Sequence, residues 1–163
     1  VTGMTLKLAR MMNVPDEKLI HIQRGATLHD LGKMGIPDSI LFKPGSLTPK
    51  EWDIVRQHPQ NALQILSPIR YLKPALDIPL YHHEKWDGSG YPHGLKETQI
   101  PLAARIFSVV DVYDSLTSNR PYRPAWSHRD AKNYIESESG VHFDPEIVVC
   151  FTKLLNEIQT SDV

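Results

Sequence analysis

Several of the eight histidines in this 163-residue sequence interrupt apolar stripes at positions where a core side chain belongs. His29 follows Leu19, Ile22 and Ala26 at steps of three or four, so it faces inward at the end of a helix, with Asp30 beside it. His83 continues Leu72, Leu76 and Pro79 in the same way, and His82 precedes it by one position. His58 follows Ile54 and Val55, and Asp111 lies one turn beyond Phe107 in an apolar run. Taken singly, an inward His is a hydrogen-bonded core residue and a lone Asp is a cap or an ion-pair partner. Six such groups from four segments are harder to bury, because unpaired polar rings and carboxylates are costly to remove from water. Metal coordination removes that cost. Imidazole mixed with carboxylate suits iron, manganese or zinc in an open site, whereas a structural zinc site favours cysteines, of which the chain has one. Six ligands exceed what one catalytic cation takes from protein, so two cations bridged by Asp30 or Asp111 fit better.

The elements that must position these groups read as helices nearly throughout. Residues 2–12 form a helix stump, and Asp16 after Pro15 can cap a second helix that Gly32 and Gly35 end. Thr48-Pro49-Lys50-Glu51 is a capping box that starts a helix at Pro49, which Pro59 interrupts. Residues 69–83 form another, complicated by Pro74 and Pro79. Residues 84–100 hold three glycines and a proline without apolar periodicity and are expected to be a loop. Leu102 to Thr117 is strongly apolar and helical, and Ser127 and Asp144-Pro145 open the last two helices. No segment alternates as a strand does, so the expected class is all-α, a helical bundle.

The balance of 18 basic against 19 acidic residues gives no general attraction to a long nucleic acid, so an anionic ligand must be held locally. A single cysteine, Cys150, excludes an internal disulfide and fits a reducing cytoplasm, the expected location. No apolar run is long enough to span a bilayer, and none reads as a signal peptide.

His29-Asp30-Leu31-Gly32-Lys33, His82-His83-Glu84, Gly90-Tyr91-Pro92 and Asp111-Val112-Tyr113-Asp114 followed by Arg120-Pro121-Tyr122-Arg123 occur in that order along the chain. Together they resemble the HD-GYP family, cyclic di-GMP phosphodiesterases of the HD superfamily. The resemblance implies one HD-domain helical bundle over residues 1–163 with a long GYP-containing loop. It implies His29, Asp30, His58, His82, His83 and Asp111 as ligands of two divalent cations, or three, with iron or manganese expected. Lys33, Arg120 and Arg123 would contact the phosphates of a cyclic dinucleotide, and Tyr91 would line the site. The family pattern also carries a His further upstream. Counting back from His29 places it ahead of Val1, so the chain is expected to be an N-terminally shortened piece. An upstream receiver or sensory domain and a homodimer are the partners expected by analogy.

The expected chemistry is in-line attack on a phosphodiester by a metal-bridged hydroxide, with Asp30 and Lys33 as the catalytic pair. Cyclic di-GMP would give the linear dinucleotide and then GMP. Arg120 and Arg123 would clamp a phosphate, with a solvated helix end as their plainer reading. Asp114, one turn past Asp111, would orient the substrate. The loop Asp87 to Pro92 suits close backbone approach to a ligand, or is a simple turn with Tyr91 packed on the core. Trp86 reads first as a loop anchor and second as a platform for guanine. His21, His93, His128 and His142 read as surface or capping residues. Two alternatives stand beside the phosphodiesterase: an HD phosphohydrolase acting on other nucleotides, and a non-catalytic module that binds a cyclic dinucleotide or a protein.

Overall fold

The computed structural model describes residues 1–119 and 124–161, the last three by backbone alone. The α-helices are α1 (Thr2–Met11), α2 (Asp16–Leu28), α3 (Asp38–Leu41), α4 (Pro49–Val55), α5 (His58–Leu66), α6 (Asp77–Tyr81), α7 (Leu102–Thr117), α8 (His128–Ser137) and α9 (Pro145–Ser161). Single 3-10 turns cover Leu31–Gly35, Arg70–Ala75 and Glu97–Gln99. Among the described residues no strand forms, only an isolated bridge between Ser139 and Phe143, so the all-α class holds.

α7 is the axis of the molecule. Ala104, Ile106, Phe107, Val109, Val110, Tyr113 and Leu116 are buried around most of its circumference. Such a helix must be enclosed on several sides, and α1, α6, α8 and α9 pack against it. The main core joins Leu8, Ile22, Ile78, Phe143, Ile147 and Phe151 to those α7 residues. A second, smaller cluster of Ala62, Leu66 and Leu72 lies under α5 and is flanked by Leu28, Leu31 and Leu76. Arg105 on α7 pairs with the buried Asp144, which also accepts from the Glu146 amide at the start of α9. That pair fixes two long helices to each other and offsets the cost of burying the carboxylate.

Three expectations are modified. Asp16 does not cap α2. Pro15 holds the N-cap position without a side-chain bond and Asp16 sits in the first turn, where its charge favours the helix N-terminus. α2 ends at Leu28 with His29 as C-cap, ahead of both glycines, which fall in the 3-10 turn that follows. The helix expected over 69–83 is divided into the 3-10 turn Arg70–Ala75 and the short α6, because Pro74 cannot supply an α-helical amide bond. The capping box at Thr48 forms as read, the Thr48 hydroxyl accepting from the Glu51 amide and the Glu51 carboxylate accepting from the Thr48 amide. Pro59 lies in the first turn of α5, where a missing amide costs nothing.

Candidate metal centre

Four stretches of chain end or bend at one place. His29 is the C-cap of α2 and Asp30 opens the next 3-10 turn. His58 begins α5, His82 is the C-cap of α6 with His83 next, and Asp111 lies midway along α7. Gly32 makes the junction of the first two possible: a methyl group there would stand 1.8 Å from the His58 carbonyl and 2.6 Å from the Ala62 amide. Only hydrogen fits where the 3-10 turn crosses the start of α5.

The six side chains form a continuous set. His29 Nε2 is 3.3 Å from Asp30 Oδ2 and 3.9 Å from Asp111 Oδ1. His58 Nε2 is 3.7 Å from Asp30 Oδ1 and 3.4 Å from His82 Nε2. One ligand atom from each of His58, His82 and His83 falls within 4.8 Å of the others. Asp30 therefore stands between His29 and His58.

Protonation states decide what this set can hold. The Nδ1 atoms of His29, His58 and His82 lie 2.8 to 2.9 Å from the carbonyls of Ala26, Val55 and Ile78. A carbonyl only accepts, so each Nδ1 carries a proton; the neutral rings of His58 and His82 turn their Nε2 lone pairs inward, while His29 points its Nε2 at the Asp30 carboxylate. The Nε2 atoms of His58 and His82 then face each other as two acceptors. Their separation is compatible with two nitrogens each about 2.1 Å from one cation. Backbone carbonyls behind metal-ligating imidazoles are the usual means of fixing tautomer and ring orientation. The donor set thus fits divalent metal.

The electrostatics agree. Burial, together with the neighbouring imidazoles, pushes His82 down to about 3 and His83 down to about 2. Burial also lowers His58. These rings stay neutral at pH 7 with lone pairs free. Burial opposes the charged forms of His29 and Asp30 too, but it is outweighed: the hydrogen bond and charge of Asp30 raise His29, and the contacts of His29 and the Lys33 ammonium hold Asp30 far below the usual carboxylate range. Burial raises the Asp111 carboxyl, the charges of Asp30 and Asp114 adding to it.

The other expected residues are placed as follows. Lys33 Nζ donates to Asp30 Oδ2 at 2.7 Å. The Tyr91 ring stacks on His83 with centroids 4.7 Å apart, and its amide donates to the His83 carbonyl. Asp114 touches none of the six directly and acts on Asp111 through its charge. Arg120 and Arg123 lie outside the described residues. Trp86 is a loop anchor: its amide donates to the His142 carbonyl and Arg105 lies over its ring. His142 is not a surface residue but half-buried, stacked on Phe143.

Two functional positions escaped the sequence reading. Glu84 is 2% exposed and accepts from the His93 and Leu95 amides, which ties the GYP loop to the base of the centre. The signal available was an acid directly after the paired histidines. Gly90 serves that loop by its size: an added methyl would meet the Lys85 amide at 2.3 Å. Arg56 is the second. Its guanidinium lies 5.7 Å from the Tyr91 ring centroid, and nothing in the local pattern distinguishes it from a surface arginine.

Comparisons with known proteins accord with this arrangement. The HD domain family model matches residues 1–147. A cyclic di-GMP phosphodiesterase of Thermotoga maritima is 46% identical over 156 residues, which cover 93% of this chain and 42% of that protein. A protein of Vibrio cholerae named 3'3'-cGAMP-specific phosphodiesterase 2 is 39% identical over 87% of this chain and 28% of its own length. The chain thus spans less than half of these relatives. An HDG"Y"P protein from Bdellovibrio bacteriovorus superposes with a TM-score of 0.75 over 95% of this chain and 50% of that one, and at 20% identity it shows the fold. The chain belongs to the HD domain family, and its paired histidines, HD step and GYP loop, gathered at one centre, resemble the HD-GYP proteins within it.

Proposed function

We propose that this chain is a metal-dependent phosphodiesterase that hydrolyses cyclic di-GMP at the centre formed by His29, Asp30, His58, His82, His83 and Asp111. The observation that carries the reading is the facing pair of Nε2 lone pairs on His58 and His82, flanked by His83 and by Asp30, which reaches across to His29. Six ligands call for two cations. Iron or manganese suits the mixture of imidazole and carboxylate. Bound cations would draw charge from phosphoryl oxygens and make water acidic enough to attack a phosphodiester near neutral pH.

The protein's own groups do the rest. The carbonyls of Ala26, Val55 and Ile78 hold three imidazoles in fixed orientations, and those of His58 and His82 keep their Nε2 lone pairs available to a ligand. Lys33, about two-fifths exposed, holds a fixed positive charge beside Asp30, where it stabilises negative charge developing on phosphoryl oxygen. Tyr91, stacked on His83, lines the site from the GYP loop. Arg120 and Arg123 complete the reading as a phosphate clamp. Cyclic di-GMP as substrate is carried over from relatives of that printed activity. The mixed GMP-AMP ring is the second reading, favoured by a relative named for it.

Anaerobically purified protein, loaded with iron or manganese, should contain at least two metals per chain and convert cyclic di-GMP to the linear dinucleotide. Asp30→Ala should lose both turnover and part of the metal. Turnover confined to mononucleotides, or full activity in Asp30→Ala, defeats the proposal.

A further inference from the structure

α4 exposes a chemical pattern that the metal centre does not use. Pro49, Trp52, Asp53 and Arg56 follow one another at the i, i+3, i+4, i+7 spacing of one helical face. They line a single cleft of about 330 Å3. α4 buries none of its residues, so this face is not a core face turned outward by error. It is held in place by the capping box and by Lys43, whose ammonium pairs with Glu51. Trp52 is 47% exposed. No ion pair or hydrogen bond engages the Arg56 guanidinium or the Asp53 carboxylate among the described residues. Arg56 connects the cleft to the centre, for its charge lies over Tyr91, whose ring stacks on His83.

We propose that this cleft is a guanine subsite. The proposal rests on the cyclic dinucleotide reading above and names how one base of that ligand is recognised. Guanine presents two adjacent donors, N1–H and the N2 amino group, and two adjacent acceptors, O6 and N7. A carboxylate matches the donors and a guanidinium fork matches the acceptors. Asp53 and Arg56, one helical turn apart, supply that pair. Trp52, on the same face, offers an aromatic surface on which a base stacks. Adenine reverses the pattern: its N1 lone pair meets the carboxylate and its N6 amino group meets the arginine. The subsite therefore selects guanine by repelling adenine as well as by binding its partner. Tyr91 bridges Arg56 and His83, so a cyclic dinucleotide with its phosphate at the histidines would present the attached nucleoside toward the cleft.

Two measurements on the metal-loaded protein test this. The first is binding of GMP and AMP by calorimetry. The wild type should prefer GMP by about tenfold or more, and Asp53→Asn should erase that preference. The second compares KM and kcat for cyclic di-GMP with hydrolysis of bis(p-nitrophenyl) phosphate, a phosphodiester without a base. Asp53→Asn and Trp52→Ala should raise KM for cyclic di-GMP by about tenfold while leaving the base-free substrate and the metal content unchanged. Equal losses on both substrates, or equal binding of GMP and AMP by the wild type, overturns the subsite. If cyclic di-GMP is not hydrolysed but GMP is preferred in an Asp53-dependent way, the catalytic reading falls and the subsite stands. If hydrolysis proceeds and Asp53→Asn leaves KM untouched, the reverse holds.

Discussion

At the residue scale, the centre is organised by acceptors. Three imidazoles commit their Nδ1 protons to carbonyls; the Nε2 atoms of His58 and His82 and the oxygens of Asp30 and Asp111 are accepting atoms in the set, and His29 Nε2 faces Asp30. Among the described residues, the one ammonium in contact with the set is that of Lys33, on Asp30. Its expected role is electrostatic rather than ligating, and this separates it from Asp30 by experiment. Lys33→Ala should retain metal, since no metal-directed atom is lost, while turnover falls by about 10²- to 10³-fold, the usual effect of removing one charge-stabilising donor. Metal analysis and single-turnover rates on the same sample make the check. Glu84 acts differently again. It is buried and satisfies two loop amides, so Glu84→Ala strands both donors and should cost about 2 kcal/mol or more of stability. Hydrogen exchange should show faster opening at His93 and Leu95, ahead of any global change.

At the element scale, proximity of the 3-10 turn Leu31–Gly35 to α5 is what brings Asp30 to His58. The contact is so close that Gly32 cannot carry a methyl group without moving the backbone of His58 or Ala62. Gly32→Ala should therefore destabilise the protein by about 2–4 kcal/mol, read by denaturant unfolding. It should also lower metal content, because α5 cannot withdraw without carrying His58 away. This glycine was read from the sequence as a helix terminator. The helix had already ended at Leu28, and the need for glycine is steric and comes from another element. The same lesson applies to Gly90, where the crowding comes from Glu84 and Lys85. Capping signals, in contrast, were legible because they act within four residues: Thr48 with Glu51, and Ser127 with the Asp130 amide. The break at Pro74 was legible as a complication and not as a 3-10 turn, since proline states which bond is missing but not which geometry replaces it.

At the scale of the whole molecule, burying unpaired histidines ties folding to pH. In the metal-free protein His82, His83 and His142 are lowered to about 3, 2 and 4, burial being the first cause in each. Unfolded imidazoles titrate near 6.5, so below that value the unfolded chain takes up protons that the folded chain refuses. Stability is full above pH 6.5 and is lost as pH falls toward 4. His58 is lowered as well, and His29 is raised and opposes this, one ring against four. Chelator-treated protein should melt progressively lower between pH 6.5 and 4.5, with the metal-loaded form higher at neutral pH because the ions bind the folded state alone. His142→Gln should flatten part of that slope, worth about 3 kcal/mol at most for a shift of this size, and leave metal content unchanged, since the charges that act on His142 are those of Lys85 and Asp87 and not those of the six side chains. A flat melting profile for the chelated protein would contradict the burial argument.

The sequence by itself determined the all-helical class, the placement of α7, the inward direction of His29, His58 and Asp111, and the grouping of HD, HH and GYP steps that marks the family. Periodicity carries that much, because which face of a helix is buried is a local property of three or four residues. Only the tertiary structure decided that Asp30 stands between His29 and His58, that Nε2 lone pairs face one another, that Glu84 anchors a loop, and that Arg56 and Trp52 share a cleft with Asp53. Each of these is a distance between side chains, or a cleft they share, and distances between elements are set by how ridges, glycines and buried pairs let those elements approach. A one-dimensional pattern states what each helix offers its neighbours. It does not state how near they come.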